Sequence, residues 1–369
     1  MRIGILTYHY AYNYGAVLQA YALKTYLESC GHTVEVLNYN TSQLFRKKRS
    51  LKSRFLSFAW NCIRFFIGGR KKNKTFATFR KDFLLVSSKE MKNAEELKTF
   101  IKTNKFDAFV VGSDQVWNPV INGRDSNYYL SFAISELKIS YAASFGMSSL
   151  DKADLASVRE NLERFNAISV RESTACDILK SAGVSKEASV VLDPVFLLNK
   201  SDWSGIASER LIPEKYVLCY VMPGDSKIEA NISSYANKLR DRYGYKVIYL
   251  GRKEYYRFKN DGKDMIGASP ADFISLIKYA DVVLTNSFHG TAFSIIFNKQ
   301  FLSFKNSGLS GERQLSSRIY DLLYSLNLLS RIIDAEDNDI PDLEIDYASV
   351  LTSLNERLLF SKKFLSDSI

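Results

Sequence analysis

The segment TNSFHGTAFSIIF holds the residue best suited to acid–base chemistry. His289 stands between an apolar strand and an apolar helix whose first residue can be Gly290. The first turn of a helix presents unpaired N–H groups and a partial positive charge, so this junction can receive a phosphate or carboxylate. His289 would then be placed for proton transfer to the bound group. Alternatively the histidine only caps the helix, although Asn286 or Ser287 could do so instead.

A second candidate is Arg171 in the segment SVRES, at the end of a predicted strand and before a predicted helix. Its forked guanidinium could hold a carboxylate or phosphate through two parallel hydrogen bonds. The alternative is an ion pair with Glu172 or with another acid of the protein. In both interpretations the residue stands at the carboxyl end of a strand, where ligands of open α/β folds bind.

The segment GSDQVWNP follows a predicted buried strand and combines groups that suit a carbohydrate. The Trp117 indole could stack on a sugar face, while Asp114 and Asn118 could exchange hydrogen bonds with sugar hydroxyls. Gln115 supplies a second amide, and the loop after the first strand, AYNYG, adds Asn13 as a further polar candidate. A plain turn without a ligand is the alternative interpretation.

Other recognised chemistries lack support in the sequence. No GxxxxGK[ST] and no GxGxxG follows a predicted strand, so neither ATP nor NAD binding is indicated. The four cysteines are far apart and form no CxxC pair, and we expect neither a disulfide framework nor a zinc site. Acidic residues and histidines do not cluster at metal-ligand spacing, so no metal is expected.

Alternating strands and helices must position these candidates. An apolar strand at 2–7, a helix that stops at Gly31 and a strand at 33–38 form the first βαβ pattern, which predicts parallel strands. The alternation lapses between Leu197 and Gly205 and resumes at Tyr216. The sequence therefore predicts an α/β fold of two Rossmann-like domains, 1–200 and 201–369, that face each other across a cleft, with helices at the C-terminal end.

Positive charge is concentrated in one segment. The net charge is +10, and between Glu35 and Asp82 there are thirteen basic residues and no acidic one. Within this insertion, at about 41–81, the aromatic stretch LKSRFLSFAWNCIRFFIGG is typical of a segment at an anionic membrane surface. The alternative is a helix packed on its own domain with a solvated basic collar. No recognised nucleic-acid motif accompanies the charge, so no nucleic-acid partner is expected.

Two features of the sequence bear on where the protein resides. The N-terminus lacks the pattern of a secretory signal, and no apolar stretch approaches about 18 residues. We therefore expect a cytoplasmic protein, peripheral at the inner face of the membrane if the basic segment binds there.

From about Ile3 to Leu329 the chain resembles the polysaccharide pyruvyl transferase family in six segments that occur in the same order: RIGILTYHYAYNYGAVLQAYAL, VVGSDQVWNP, YAASFG, SVRES, LDPVFLL and TNSFHGTAFSIIF. The resemblance implies a two-domain fold similar to GT-B glycosyltransferases. It also implies transfer of the enolpyruvyl group of phosphoenolpyruvate onto two saccharide hydroxyls as a cyclic ketal, with release of phosphate. The acceptor implied by the family is a unit of a surface polysaccharide, such as an exopolysaccharide or capsule, often carried on a membrane lipid.

The resemblance also assigns roles to individual residues. His289 matches the family histidine, and Ser287 stands where relatives carry the arginine of an Arg-x-His pattern that helps to bind phosphoenolpyruvate. Arg171 matches the other arginine of the family pattern. Lys305 and Arg318 are basic candidates to replace the contact that is missing at position 287.

The expected mechanism begins at the helix start near Gly290, where backbone N–H groups, together with Arg171 and Lys305, would hold the anionic groups of phosphoenolpyruvate. His289 would protonate the methylene carbon, and Asp114 would orient or deprotonate the acceptor hydroxyl. Phosphoenolpyruvate is then a co-substrate, and no further cofactor is expected. Two alternatives are a nucleotide-sugar glycosyltransferase of the same architecture and a non-catalytic saccharide-binding protein.

Overall fold

The computed structural model describes residues 1–40, 70–222, 226–250, 263–265, 267–305, 313–334 and 339–369. Contacts divide them into two compact units. Unit 1 comprises 1–40, 78–197 and 357–369, and unit 2 comprises 70–77 together with the described residues of 198–356. Each unit contains one parallel sheet.

In the described residues, unit 1 is built on a six-stranded parallel sheet with the order β2-β1-β3-β4-β5-β6. The strands are β1 Arg2–Leu6, β2 Thr33–Val36, β3 Ala108–Val111, β4 Leu137–Ala143, β5 Ala167–Val170 and β6 Ala188–Val190. Successive side chains of a strand point to opposite faces, and accordingly Ile3 and Ile5 pack in one core while Leu6 packs in another. Both faces of the sheet are therefore buried, as the apolar strands predict.

Helices supply the other half of both cores. The helices that follow β1 in chain order are α1 Tyr14–Ser29, α2 Arg70–Phe79, α3 Ala94–Thr103, α4 Pro119–Asn122, α5 Lys152–Leu162 and α6 Ser173–Ala182. Leu23 of α1 packs in the first core, whereas Leu162 of α5 and Leu179 of α6 pack in the second. This arrangement confirms the predicted α/β alternation.

Unit 2 contains a second parallel sheet, with the order β12-β11-β10-β7-β8-β9. Its strands are β7 Tyr216–Tyr220, β8 Lys246–Leu250, β9 Lys263–Asp264, β10 Val282–Thr285, β11 Gln300–Phe304 and β12 Ile332–Ile333. The remaining helices are α7 Lys200–Ile206, α8 Ser226–Tyr243, α9 Pro270–Tyr279, α10 Phe288–Ile296, α11 Arg313–Ser325 and α12 Tyr347–Ser368. Because β10 lies between β11 and β7, the loop that follows it is central at the carboxyl edge of the sheet.

The C-terminal residues correct the predicted division of the chain. Residues 201–369 are predicted to form the second domain, but 357–369 belong to unit 1. Leu365 lies in the first core of unit 1, and the Ser361 hydroxyl accepts a hydrogen bond of 2.9 Å from the Leu192 N–H. The end of α12 thus buries apolar side chains that would otherwise face water.

Most of the basic segment, 41–69, lies outside the described residues, and its membrane-facing aromatic surface stays a prediction. The aromatic rings that follow pack inside the protein. Phe76 and Phe79 are buried, and Phe79 stacks on Phe83 with 4.8 Å between ring centroids. In the part of the chain that the structure describes, no helix has the length and apolar character needed to span a bilayer.

Candidate active site

His289 lies in the first turn of α10, where β10 passes into that helix. The helix begins at Phe288 rather than at the predicted Gly290, because Ser287 has an extended backbone and acts as the N-cap. The Ser287 hydroxyl accepts a hydrogen bond of 3.4 Å from the Gly290 N–H. His289 is buried, with 7% of its surface exposed. Ser287 therefore supplies the cap, and the imidazole is not needed for it.

The backbone of this first turn lies directly against the sheet. A Cβ atom at position 290 would overlap the Thr285 hydroxyl oxygen and would lie 2.9 Å from Cδ1 of Tyr220. The same hydroxyl donates to the Tyr220 carbonyl oxygen at 2.7 Å and accepts from the Ser287 N–H at 3.0 Å. Only glycine leaves room for these contacts, so the helix turn that carries His289 has a closely defined position.

Asn286 joins the loops that follow two neighbouring strands. Its Oδ1 accepts a hydrogen bond of 2.7 Å from the Met222 N–H, and its Nδ2 donates to the Met222 carbonyl oxygen at 3.0 Å. Of the two predicted capping candidates, Asn286 and Ser287, the cap is Ser287, which stands one residue nearer to the helix. Asn286 instead ties the end of β7 to the end of β10.

The two basic candidates of unit 2 differ in exposure. Lys305 follows β11, and its Nζ lies 3.2 Å from Oδ1 of Asp334 in an ion pair whose side chains are 51% and 59% exposed. Arg318 lies on α11 and is buried. An exposed ion pair contributes little to stability, so Lys305 can exchange Asp334 for an anionic ligand at low energetic cost. A contact of either residue with a substrate stays a prediction.

Replacing Ser287 by alanine is expected to destabilise unit 2 by about 1 kcal/mol, because the capped N–H of α10 loses its acceptor. The matched control is Ser287→Asn, which keeps an oxygen at the N-cap and should lose no more than about 0.5 kcal/mol. Denaturant unfolding followed by circular dichroism measures the difference. An equal loss in both variants would contradict the capping role.

Arg171 in unit 1 is enclosed by acidic side chains. Its Nη1 donates to Asp193 Oδ2 at 2.8 Å and to Ser113 Oγ at 3.3 Å. Its Nη2 lies 3.8 Å from Asp114 Oδ1, and its Nε lies 3.9 Å from Glu172 Oε2. Burial alone lowers the pKa of the guanidinium, but the negative charges of these carboxylates outweigh it and hold the pKa above its usual value. The ion-pair interpretation is confirmed, and a substrate contact of Arg171 stays a prediction.

Asp114 occupies a strained turn after β3. Its φ of 80° lies in the left-handed region, which residues other than glycine seldom adopt. The Asp114 carbonyl oxygen accepts hydrogen bonds from the Val116 N–H at 2.7 Å and the Ser144 N–H at 3.0 Å, and its Oδ1 accepts from the Gln115 N–H at 2.9 Å. Strain that is held in place by several bonds is characteristic of functional positions.

The amide side chains near Asp114 make local bonds. Asn118 caps α4, and its Oδ1 accepts from two backbone N–H groups of that helix. Asn13 caps α1 in the same way through the Ala16 N–H. Gln115 accepts a hydrogen bond of 3.1 Å from Asn118 Nδ2. Each of these amide oxygens accepts at least one hydrogen bond within the protein, and substrate contacts of these three amides stay predictions.

Trp117 is fully buried in the second core of unit 1. Its Nε1 donates to the Tyr128 carbonyl oxygen at 3.1 Å, and its ring stacks on Tyr129 with centroids 5.8 Å apart. The prediction that this indole stacks on a sugar is wrong, because Phe145 and Phe165 also pack against the ring and leave no exposed face.

Asp193 is the member of this cluster that the sequence did not reveal. It follows β6 in the segment LDPVFLL, its side chain is wholly buried, and its Oδ2 also accepts from Ser113 Oγ at 2.8 Å. An acid shortly after an apolar strand is a signal that could have identified Asp193, and this strand is the last one before the predicted domain boundary. Among the described residues, no three His, Cys, Asp or Glu side chains are arranged to hold a metal ion.

Two solved structures share this architecture at low sequence identity. The UDP-GlcNAc 2-epimerase of Methanocaldococcus jannaschii aligns with a TM-score of 0.50 and 11% identity, over 97% of this chain and 93% of that one. A Listeria monocytogenes protein assigned as a UDP-N-acetylglucosamine 2-epimerase aligns with a TM-score of 0.51 and 8% identity, over 99% and 89% of the two chains. With its two parallel sheets, the chain has a GT-B-type α/β fold.

The family model of polysaccharide pyruvyl transferase matches residues 13–308, a range that includes Asp114, Arg171 and His289. No curated protein matches the chain. The chain belongs to the polysaccharide pyruvyl transferase family, and it is a transferase.

Proposed function

We propose that this transferase moves the enolpyruvyl group of phosphoenolpyruvate onto two hydroxyls of a saccharide as a cyclic ketal, in the synthesis of a surface polysaccharide. The family match over 13–308 is the observation that carries the proposal. The buried histidine at the start of a central helix supports it, because such a position combines an acid with donors for an anion.

The donor is proposed to bind at the start of α10. The helix dipole of α10 favours a phosphate or carboxylate at the first turn, and the Gly290 N–H can exchange its long hydrogen bond of 3.4 Å to the Ser287 hydroxyl for one to the anion. The Ser287 hydroxyl can hydrogen-bond to an anion but cannot neutralise it. Lys305 and Arg318 are the proposed sources of positive charge in this unit.

The proposed reaction starts with proton transfer from His289 to the methylene carbon of phosphoenolpyruvate. The neighbouring carbon becomes cationic, and the first saccharide hydroxyl attacks it while its proton passes to a base, for which Asp114 is the candidate. The carbon–oxygen bond to phosphate then breaks and phosphate leaves. Attack by the second hydroxyl, with loss of its proton, closes the ketal ring.

The test is to incubate the purified protein with phosphoenolpyruvate and candidate lipid-linked saccharides. We expect the acceptor to gain the mass of one pyruvyl ketal, with phosphate released in equal amount. Release of nucleotide from a nucleotide sugar, without reaction of phosphoenolpyruvate, would establish the glycosyltransferase alternative. Saccharide binding without any product would establish the non-catalytic one.

An enzyme with a lipid-linked acceptor would benefit from binding to the anionic membrane surface. The basic segment at about 41–81 is proposed to provide this binding. Neutralising residues 46–49 and replacing Trp60 by serine is expected to weaken binding to anionic vesicles by about a hundredfold or more, since each of the four basic residues contributes about 1 kcal/mol. Sedimentation with vesicles at low and high salt measures the effect.

The matched control neutralises Lys89, Lys92, Lys98 and Lys102, four lysines from a part of the chain that also carries acids. This control should bind vesicles almost as the unaltered protein does. Binding that is insensitive both to salt and to the changes at 46–49 would rule out the membrane role.

A further inference from the structure

One buried cation in unit 1 is shared among three carboxylates. Arg171 contacts Asp193, Asp114 and Glu172 within 4.0 Å, so the cluster carries one positive and three negative formal charges. Two further charged residues contact the loops that follow β1 and β2: Arg80 donates to the Tyr10 carbonyl oxygen, and Asp125 accepts from Tyr39 Oη. They add one charge of each sign, so the negative excess among these described residues is unchanged.

Exposure differs sharply within the cluster. The side chains of Arg171 and Glu172 are 1% exposed and that of Asp193 is 0% exposed, whereas that of Asp114 is 19% exposed. A ligand that approaches the cluster from solvent therefore meets the Asp114 carboxylate before the guanidinium. An incoming anion would be repelled by this carboxylate, whereas a hydroxyl can donate a hydrogen bond to it.

A buried tyrosine gives a second indication of a hydroxyl-bearing ligand. Tyr8 is 7% exposed, and within the described residues its Oη has no hydrogen-bond partner. Burial, followed by the charges of Tyr10 and Asp114, raises the pKa of this phenol, so it keeps its proton and can donate it in a hydrogen bond. A buried polar atom without a partner requires an explanation, and a saccharide hydroxyl next to Asp114 would supply the missing bond.

The Asp114 carboxylate is held from two directions. The strained turn fixes its backbone through the bonds to Val116 and Ser144, and the Gln115 N–H holds one carboxylate oxygen. Arg171 lies behind the same oxygen at 3.8 Å and is itself fixed by Asp193. A carboxylate that is fixed in this way is suited to orient a ligand hydroxyl.

We infer that Arg171 is a positioning residue that fixes Asp114 toward an uncharged, hydroxyl-bearing saccharide, and that it does not bind the anionic donor. The inference rests on the proposed function for the identity of donor and acceptor. It deepens that function in two ways. It assigns the acceptor to the part of unit 1 around Asp114, and it predicts that acceptors with a carboxylate near Asp114 bind poorly.

The test compares Michaelis constants for both substrates in Arg171→Lys and Asp114→Asn. In each variant we expect the acceptor constant to rise about tenfold or more, because a hydrogen bond to a charged group is weakened, while the constant for phosphoenolpyruvate stays within about twofold. If a variant only loses folded protein, its apparent turnover number falls, but neither the Michaelis constant for the acceptor nor that for phosphoenolpyruvate changes. A tenfold rise of the phosphoenolpyruvate constant in Arg171→Lys, with the acceptor constant unchanged, would overturn the inference.

Acceptor charge gives a second readout. A neutral saccharide is compared with its matched uronic acid, which replaces a hydroxymethyl group by a carboxylate. The unaltered protein should prefer the neutral acceptor, and Asp114→Asn should narrow that preference because the repelling charge is removed. Equal use of both acceptors by the unaltered protein would contradict the assignment.

A third measurement does not depend on the reaction. The thermal midpoints of Arg171→Lys, Asp114→Asn and the double variant form a cycle that reports the coupling of the two side chains. We expect the combined loss to be smaller than the sum of the single losses. The control cycle pairs Arg171→Lys with Asp151→Asn, whose carboxylate lies near Arg124 and should show no coupling. Additive losses at Asp114 would overturn the positioning role, whereas absence of any reaction with phosphoenolpyruvate would overturn only the proposed function.

Discussion

Replacing His289 by alanine is expected to reduce pyruvyl transfer by about a hundredfold or more, the usual effect of removing a general acid. The loss should appear in the turnover number, because the proton is needed in the chemical step rather than in binding. Unit 2 should remain folded, since Ser287 caps α10 and the Asn286 bonds to Met222 are unchanged. Steady-state kinetics with phosphoenolpyruvate, together with circular dichroism, measures both effects.

The matched control is His32→Ala, which removes a histidine from the turn between α1 and β2, away from the carboxyl ends of the strands. This variant should transfer pyruvyl at the unaltered rate. If His289→Ala is also fully active, the imidazole takes no part in the reaction, and the proton must come from another group.

Replacing Gly290 by alanine is expected to destabilise unit 2 by about 1–3 kcal/mol, because an added methyl group overpacks a core that has no space for it. The new Cβ would overlap the Thr285 hydroxyl and would lie 2.9 Å from the Tyr220 ring. Either α10 or β10 must shift to relieve the contact, and His289 would move with the helix. We therefore expect transfer to fall by about tenfold or more even in the fraction that remains folded, as small displacements of a catalytic group do.

Gly205→Ala is the matched control for this change. Gly205 lies on α7, is exposed, and has no atom within 4 Å of an added Cβ. Alanine there should stabilise the helix by about 0.5–1 kcal/mol and leave transfer unchanged. A Gly290→Ala variant as stable and as active as this control would show that the first turn of α10 is not closely packed.

The sequence could predict the sheets and the junction at His289 because both depend on local pattern. Apolar runs such as Val282–Thr285 and Gln300–Phe304 identify buried parallel strands wherever they occur. The strand-to-helix junction then follows from where one periodicity ends and the next begins. The first residue of the helix is predicted less accurately, as Gly290 instead of Phe288, because the position of the N-cap depends on the backbone conformation of Ser287.

The environments of Arg171 and Trp117 could not be predicted in this way because they depend on contacts between distant segments. Ser113 bonds to Asp193 across 80 positions, and Asp193 in turn pairs with Arg171. A tryptophan in a polar loop suggests exposure, but folding places Trp117 against aromatic rings from other elements. The C-terminal residues 357–369 follow the same rule, since Leu365 packs in the first core of unit 1, whose other members are distant in the sequence.

The backbone of Asp114 bears on how this protein could be engineered. Glycine adopts a φ of 80° without the steric strain that a side chain brings, so a screen for heat resistance alone would favour glycine at position 114. Such a variant would lose the carboxylate that Arg171 holds. Directed evolution of a more thermostable enzyme therefore needs a selection for activity as well, because thermal stability favours glycine at position 114 whereas turnover requires the aspartate.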